Sequence, residues 1–325
     1  MTTSCPCCAS TESRLLFRGL GDRLFHTSQE TFDLRECANC EVIFLSPAPA
    51  EPELARFYPV GYWWQTIAAP QRVRLWHRLL ETYRHVMMGG HVRRIRRLAR
   101  NSPQHTARLL DIGCGDGVFL AACYQLPLVR VGLDQSLDAL RAARQYKGLE
   151  LIQSNVDALP FADESFAIIT TFHVLEHIPA PHRSLQECRR LLQPEGRLVI
   201  QVPNVASLQG RLLGRRWAGL DVPRHLANYS SANLHSLLER NGFRVIRESH
   251  FSLRDNAAIP VMSLFPRLYP PARRLASTGD RGTPEWVNGL LDLTFLVLVV
   301  LAIPFAGLES ILRQGGTIVI EARKG

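Results

Sequence analysis

The chain has 325 residues, with 38 Lys plus Arg against 29 Asp plus Glu and a formal net charge of +9. That length can bury a full core unaided, and the lack of internal repeats or low-complexity tracts excludes solenoid and disordered classes. Lys147 and Lys324 are the only lysines, so arginine supplies nearly all the positive charge, a bias that coding composition explains without a polyanion partner.

Residues 1–60 hold two Cys-x-x-Cys pairs, Cys5 with Cys8 and Cys37 with Cys40. Two such pairs let four thiolates converge on one ion from two tight turns, the tetrahedral arrangement zinc favours, so a closed, structural Zn2+ site is expected. Cys7 is an alternative to Cys5 or Cys8 in the first turn. No thioredoxin-like context surrounds the pairs and no apolar secretory segment precedes them, so redox and disulfide roles give way to a reducing, cytoplasmic setting. Cys114, Cys123 and Cys188 read as small core residues.

Residues 61–104 form a connector. Tyr62, Trp63 and Trp64 lie in an aromatic run that serves either as a lid over a cleft or as packing between the flanking units. A helix follows by periodicity, with a break expected at Gly89 and Gly90. Arg93, Arg94, Arg96, Arg97 and Arg100 crowd that helix, giving a basic face that is either solvated or placed for anionic lipid or a phosphate-bearing substrate. No nucleic-acid recognition module of the usual kinds accompanies it, so nucleic acid is not an expected partner.

At residues 109–117 the sequence LLDIGCGDG runs from an apolar strand, ending at Asp111, into Gly113, Gly115 and Gly117. Glycines there permit positive φ and let a ligand approach the main chain where the next helix starts. Strand-like runs then recur at βαβ spacing, ending at Asp134, Asp157, Phe172 and Asn204, with helices SLDALRAARQY and HRSLQECRRLL between them. This alternation predicts an α/β, doubly wound, Rossmann-like and mostly parallel sheet, with ligands bound beyond the carboxyl ends of its strands. Asp134, about twenty residues past the glycines, is placed for ribose hydroxyls, with a helix cap as the rival role. Asp157 would sit beside an adenine. A nicotinamide dehydrogenase fits the glycines less well, because DIGCGDG lacks the third glycine of G-x-G-x-x-G.

LLDIGCGDG, VGLDQS, NVDALPFADESFAIIT, HVLEHI and RRLLQPEGRLVIQVPN together resemble, in order and spacing, the class I S-adenosylmethionine-dependent methyltransferases. The resemblance covers about residues 105–250. It implies that the glycine loop, Cys114 included, holds the methionine part of S-adenosylmethionine, Asp134 and Gln135 the ribose side, and Asp157 and Ala158 the adenine side. It also puts Phe172 and His173 in the cofactor's surroundings and makes the final GGTIVIEARKG an antiparallel last strand. An N-terminal zinc ribbon on this sheet is similar to a subgroup that modifies sugars or other hydroxylated metabolites.

A sulfonium methyl is already a good electrophile, so such an enzyme mainly has to align a nucleophile and remove a proton. His177, after strand four with Glu176 to orient it, is the first candidate base. LEH is common to members with different substrates, so a role in cofactor binding or loop architecture stays open. The long loop after strand five offers Asp221, Arg224, His225 and Tyr229, with His225 reaching the methyl from the side opposite His177.

The domain unit spans residues 105–325, with an apolar helical insertion at about 256–312. The run from Leu293 to Leu308 carries no charge; it is short of the roughly 20 apolar residues of a span, and Pro304 interrupts it. A last strand returning to the same sheet argues against a single crossing. Residues 290–308 are therefore expected as a buried helix, a homodimer surface, or a helix lying shallowly in one leaflet near Arg273 and Arg274, giving peripheral contact with the inner face of the membrane. These features predict methyl transfer to a hydroxylated small molecule or sugar, lipid-linked or an envelope-glycan precursor, at oxygen rather than carbon. The alternative is a non-catalytic, membrane-associated scaffold that binds S-adenosylmethionine.

Overall fold

The computed structural model describes residues 4–59, 74–100, 107–157, 159–276 and 284–325. The chain opens with three antiparallel strands, β1 (Ser13–Leu20), β2 (Phe32–Cys37) and β3 (Ile43–Ser46), with Ser13 opposite Cys37 and Asp33 opposite Ser46. A short helix, α1 (Glu51–Leu54), and a longer one, α2 (Arg74–Arg100), follow.

A seven-stranded sheet comes next. β4 (Ala107–Ile112), β5 (Leu128–Asp134), β6 (Leu149–Gln153), β7 (Phe166–Phe172) and β8 (Leu192–Pro203) run parallel, joined through α3 (Val118–Ala122), α4 (Leu137–Ala143) and α5 (Pro181–Leu191). β4 lies between β5 and β7 with Leu109, Leu110 and Ile112 buried, as an apolar run covered on both faces requires. The loop after β8 contains α6 (Leu208–Leu213) and a two-residue strand, β9 (Ala227–Asn228), which pairs with β3 and completes the N-terminal sheet. After α7 (Ser231–Arg240) and β10 (Phe243–Ser249) the chain forms α8 (Leu253–Leu264), α9 (Pro270–Ala276) and α10 (Glu285–Ile311). It ends in β11 (Thr317–Lys324), antiparallel to both β8 and β10. The sheet order is β10-β11-β8-β7-β4-β5-β6, the mostly parallel arrangement with an antiparallel last strand that the sequence predicts.

One core is continuous across the N-terminal segment and the large sheet. Cys5, Cys37 and Phe44 are buried in the same cluster as Ile112, Ile200 and Leu234. The side of the sheet facing α2 is closed by Met88 and Ile95 against Leu109, Phe119 and Ile168.

Several expectations are corrected. α2 runs unbroken through Gly89 and Gly90 for 27 residues; burial of Met88 and Ile95 outweighs the roughly 1 kcal/mol each glycine costs a helix. The helix is not a uniformly free basic face either, because Arg94 and Arg97 both pair with Glu321 on β11. α10 likewise continues through Pro304 for 27 residues, and it is long and apolar enough to cross a membrane by length and composition. It is not a buried core helix: Val299, Ala306 and Glu309 are its only buried residues, and Trp286, Leu290, Leu293, Val297, Leu301 and Leu308 are exposed. Arg273 and Arg274 both pair with Asp292 on α10. Tyr62, Trp63 and Trp64 lie outside the described residues.

Candidate active site

The carboxyl ends of β4, β5 and β7 meet at the glycine turn. Gly113, Gly115 and Gly117 have φ of +71°, +54° and +77°, the left-handed region that glycine enters freely. The N–H groups of Gly113 and Cys114 both donate to the Leu133 carbonyl, at 2.7 and 2.9 Å, fixing the turn against β5. A Cβ on Gly113 would lie 2.4 Å from Cγ2 of Val174, so the turn sits directly against the loop that carries Glu176 and His177.

Asp134 is buried at the end of β5, where its carboxylate accepts from the backbone N–H of Gly115 at 2.9 Å and of Ser136 at 2.8 Å. It thereby ties strand, turn and following helix into one rigid rim. The helix cap is Ser136, whose hydroxyl accepts from the Ala139 N–H. Burial raises the Asp134 carboxyl above its usual range, against the pull of those N–H donors. Asp111 accepts a 2.6 Å hydrogen bond from the Thr170 hydroxyl, and burial pushes its carboxyl up to about 7.

The remaining expected cofactor residues are less tightly grouped. Gln135 is exposed, its carbonyl held by the Gln153 side chain at 3.2 Å. Asp157 does not end a strand, because β6 stops at Gln153; Asp157 is in the loop beyond, its N–H donating to the Asn155 side chain at 3.4 Å. Ala158 lies outside the described residues. Phe172 stacks between His91 and Phe119, with ring centroids 4.3 and 5.0 Å away. His173, at φ +57°, has Nδ1 3.3 Å from Glu176 and Nε2 3.2 Å from Asp255 on α8. Burial opposes its charge, but the Asp255 and Glu176 carboxylates outweigh burial and hold the imidazole up to about 9.

His177 and His225 are brought together, with ring centroids 4.7 Å apart. His225 therefore does not approach from the side opposite His177; β9 pairing with β3 folds its loop back beside the LEH turn. Nδ1 of His177 is 2.9 Å from both the Arg224 carbonyl and the Tyr58 hydroxyl. A carbonyl only accepts, so Nδ1 carries the proton and Nε2 the lone pair. Nδ1 of His225 faces the Gly219 carbonyl at 2.9 Å, which fixes the same tautomer and leaves Nε2 3.9 Å from Glu176 Oε1. Burial, together with His225 alongside, pushes His177 down to about 4.

Tyr58, Asp255 and Asp22, the partner of Arg224, are the neighbours of the site that local sequence patterns do not reveal. Arg224 is wholly buried and pairs with Asp22 of the N-terminal segment and with Asp221. Beside Asp221 opens a small surface cleft lined by Leu20, Leu24, Trp217 and Met262 among others.

In the N-terminal segment the Cys5 and Cys40 sulfurs are 3.5 Å apart and those of Cys8 and Cys37 3.4 Å apart, with all four within 4.8 Å of one another. These separations are too long for disulfides and close to the roughly 3.8 Å between ligands of a tetrahedral zinc–thiolate site. Cys7 points elsewhere, to the Tyr229 hydroxyl at 3.8 Å.

This geometry agrees with comparisons to known proteins. A family model described as a methyltransferase domain matches residues 75–248. The chain belongs to that family, the class I S-adenosylmethionine-dependent methyltransferases. It is 36% identical over 107 residues to a ubiquinone biosynthesis O-methyltransferase of Glaesserella parasuis, covering 30% of this chain and 45% of that protein. It is 32% identical over 150 residues to a Mycobacterium tuberculosis protein named "Probable S-adenosylmethionine-dependent methyltransferase", covering 44% and 52%. The chain thus spans about half the length of the curated relatives it matches. Among solved structures it is similar to a chain of the complex between the Haloferax volcanii Trm112 methyltransferase activator and a methyltransferase. That match has 20% identity and a TM-score of 0.48, covering 74% of this chain and 90% of that one.

Proposed function

We propose that this chain transfers the methyl group of S-adenosylmethionine to a hydroxyl oxygen of a small molecule or sugar. The observation that carries the reading is the pair His177 and His225, each with Nδ1 held by a backbone carbonyl, beside a glycine turn pressed against the same loop. In the reaction the acceptor oxygen attacks the methyl carbon, the C–S bond breaks to leave a neutral thioether, and the hydroxyl proton is drawn off at this cluster. In this reading the turn of Gly113, Gly115 and Gly117 holds the methionine portion and Asp134 the ribose hydroxyls, with Asp111, Cys114 and Phe172 assigned to the cofactor as well. The name of the Glaesserella parasuis relative supports oxygen over carbon as the methylated atom.

The four-cysteine cluster holds structural zinc in this reading, because its thiolates have the separations a tetrahedral ion needs and it leaves no open position. Cys40→Ser should release about one zinc per chain, whereas Cys7→Ser should retain it. The exposed apolar face of α10 favours an acceptor presented at the inner face of a membrane, as a lipid-linked or envelope-glycan precursor would be.

Calorimetry with S-adenosylmethionine should show binding that Asp134→Ala abolishes. Donor turnover should then appear with some member of a panel of nucleotide sugars, glycolipids and phenols, and fall in His177→Ala or His225→Ala. Unchanged donor affinity in Asp134→Ala would remove the ribose role. Donor binding with no turnover across the panel would favour the non-catalytic cofactor-binding scaffold instead.

A further inference from the structure

Between the LEH turn and the loop carrying His225 a buried carboxylate meets two imidazoles, and only one of its oxygens, Oε1, is engaged, by Nδ1 of His173 at 3.3 Å. Glu176 is wholly buried and its Oε2 has no hydrogen-bond partner. Nε2 of His225, on a buried ring, faces Oε1 of the same carboxylate at 3.9 Å, and with Nδ1 of His177 on the Arg224 carbonyl its Nε2 carries the lone pair. One nitrogen of each imidazole and one Glu176 oxygen lie within 4.8 Å of one another. Burying an unpaired carboxylate oxygen is costly, and Oε2 of Glu176 is such an oxygen.

We propose that Glu176, His177 and His225 form a three-ligand site for a divalent cation, which holds the acceptor oxygen next to the methyl donor. A cation would satisfy the free Glu176 oxygen and take the Nε2 lone pairs of both imidazoles. Both imidazoles give their Nδ1 proton to a backbone carbonyl, Arg224 for His177 and Gly219 for His225, and that arrangement fixes ligand tautomers in metal centres. Bonds of about 2.1 Å in tetrahedral geometry place ligand atoms roughly 3.4 Å apart. The observed His225 to Glu176 separation of 3.9 Å reaches that value with a small side-chain adjustment. Two nitrogens and one carboxylate suit Mn2+, Fe2+ or Zn2+, and three protein ligands leave positions open, unlike the closed four-cysteine cluster.

For its role, though not for its existence, this site rests on the methyl-transfer reading. A hydroxyl bound to the cation loses its proton more readily. That proton leaves to water, and the oxygen left on the cation attacks the methyl carbon as the C–S bond breaks. The imidazoles then act as ligands and need not take the proton themselves.

Mn2+ added to the zinc-loaded full chain tests the site, because thiolates select softer ions and leave Mn2+ to nitrogen and oxygen donors. Electron paramagnetic resonance should show about one bound Mn2+ per chain with nitrogen couplings from imidazole. Glu176→Gln and His225→Gln should bind it at least roughly ten-fold more weakly while still binding S-adenosylmethionine, which reports that they fold. No bound Mn2+ in the parent chain, or bound Mn2+ without nitrogen coupling, overturns the site whether or not the variants fold. Failure here leaves methyl transfer to be judged by turnover, and bound Mn2+ with no turnover of any acceptor would sink the earlier reading alone.

Discussion

Arg224 and Asp22, 202 residues apart, grip each other through two parallel hydrogen bonds of 2.8 and 2.9 Å, and both side chains are sealed from solvent. The guanidinium also bonds Asp221 and, at 3.0 Å, the Phe57 carbonyl, so one side chain locks the N-terminal segment to the loop that carries His225. Arg224→Ala would leave Asp22 charged, buried and without its main partner. The expected cost is about 3–5 kcal/mol, read from urea unfolding. Arg224→Lys should recover only part of it, because an ammonium lacks the fork that matches a carboxylate. A loss below about 1 kcal/mol for the alanine variant would show that the pair is replaceable.

The glycine turn can be probed through its closest contact. In Gly113→Ala the new Cβ would meet Val174 Cγ2 at 2.4 Å from a backbone already at φ +71°. Two costs therefore add, a steric one and a conformational one, each on the order of 1–3 kcal/mol. Donor affinity measured by calorimetry should fall at least about ten-fold if the turn moves by the distance this contact demands. Adding Val174→Ala removes the colliding methyl and should restore part of the loss, the conformational part staying. Full affinity in Gly113→Ala would show that the turn does not set the donor site.

The sequence pattern made the glycine turn, the parallel order of β4 to β8 and the two cysteine pairs legible because each is encoded within a few neighbouring residues. Gly113 and Asp111 follow from local backbone chemistry, and Cys37 with Cys40 from a tight turn. What stayed hidden is non-local. Tyr58 reaches His177 across 119 residues and Asp255 reaches His173 across 82. Glu321 in the last strand takes up Arg94 and Arg97 of α2, which the arginine count alone presents as a free basic face. Helix breaks at Gly89, Gly90 and Pro304 were expected from propensity, and packing along the surrounding helices decided otherwise. The side of approach of His225 depended on a two-residue strand, β9, too short to leave a periodic signal.

Asp111 gives a pH dependence whose sign follows from burial. Its carboxyl titrates near 7 in the folded chain, chiefly through burial, against about 4 when unfolded. A carboxyl raised on folding is no burden below the unfolded value, where both states are protonated. The penalty grows as pH rises through 4 to 7 and is complete above 7. Asp111→Asn keeps an oxygen for the Thr170 hydroxyl and cannot ionise. The variant should therefore be favoured over the parent by up to about 4 kcal/mol at pH 8, and that gap should close towards pH 4. Unfolding of both proteins across this range checks it. A constant gap would mean that Asp111 titrates normally. Weaker binding of S-adenosylmethionine by the more stable variant would show that the buried acid is kept for the cofactor.

α10 presents Trp286, Leu290, Leu293, Val297, Leu301 and Leu308 to solvent at spacings of three, four and seven residues, a stripe along one face of the 27-residue helix. The opposite face is occupied: Val299 and Ala306 pack with Ala257 and Val261 of α8, and Asp292 is tied to α9 through Arg273 and Arg274. β11 follows within a few residues and pairs with β8, so the helix is anchored to the sheet and offers its length sideways. In the proposed membrane contact such a helix would lie in the plane of the surface. Changing Leu290, Val297 and Leu301 together to serine removes three half-exposed apolar side chains while leaving the α8 contacts and the Asp292 pairs intact. At about 1 kcal/mol for each half-buried group, partitioning onto liposomes should weaken by roughly 100-fold. Flotation of the parent chain with loss in the triple variant is the expected result. Equal flotation of both would remove the lipid contact. A parent that stays in solution as a dimer and becomes monomeric in the triple variant would assign the stripe to a second copy of the chain instead.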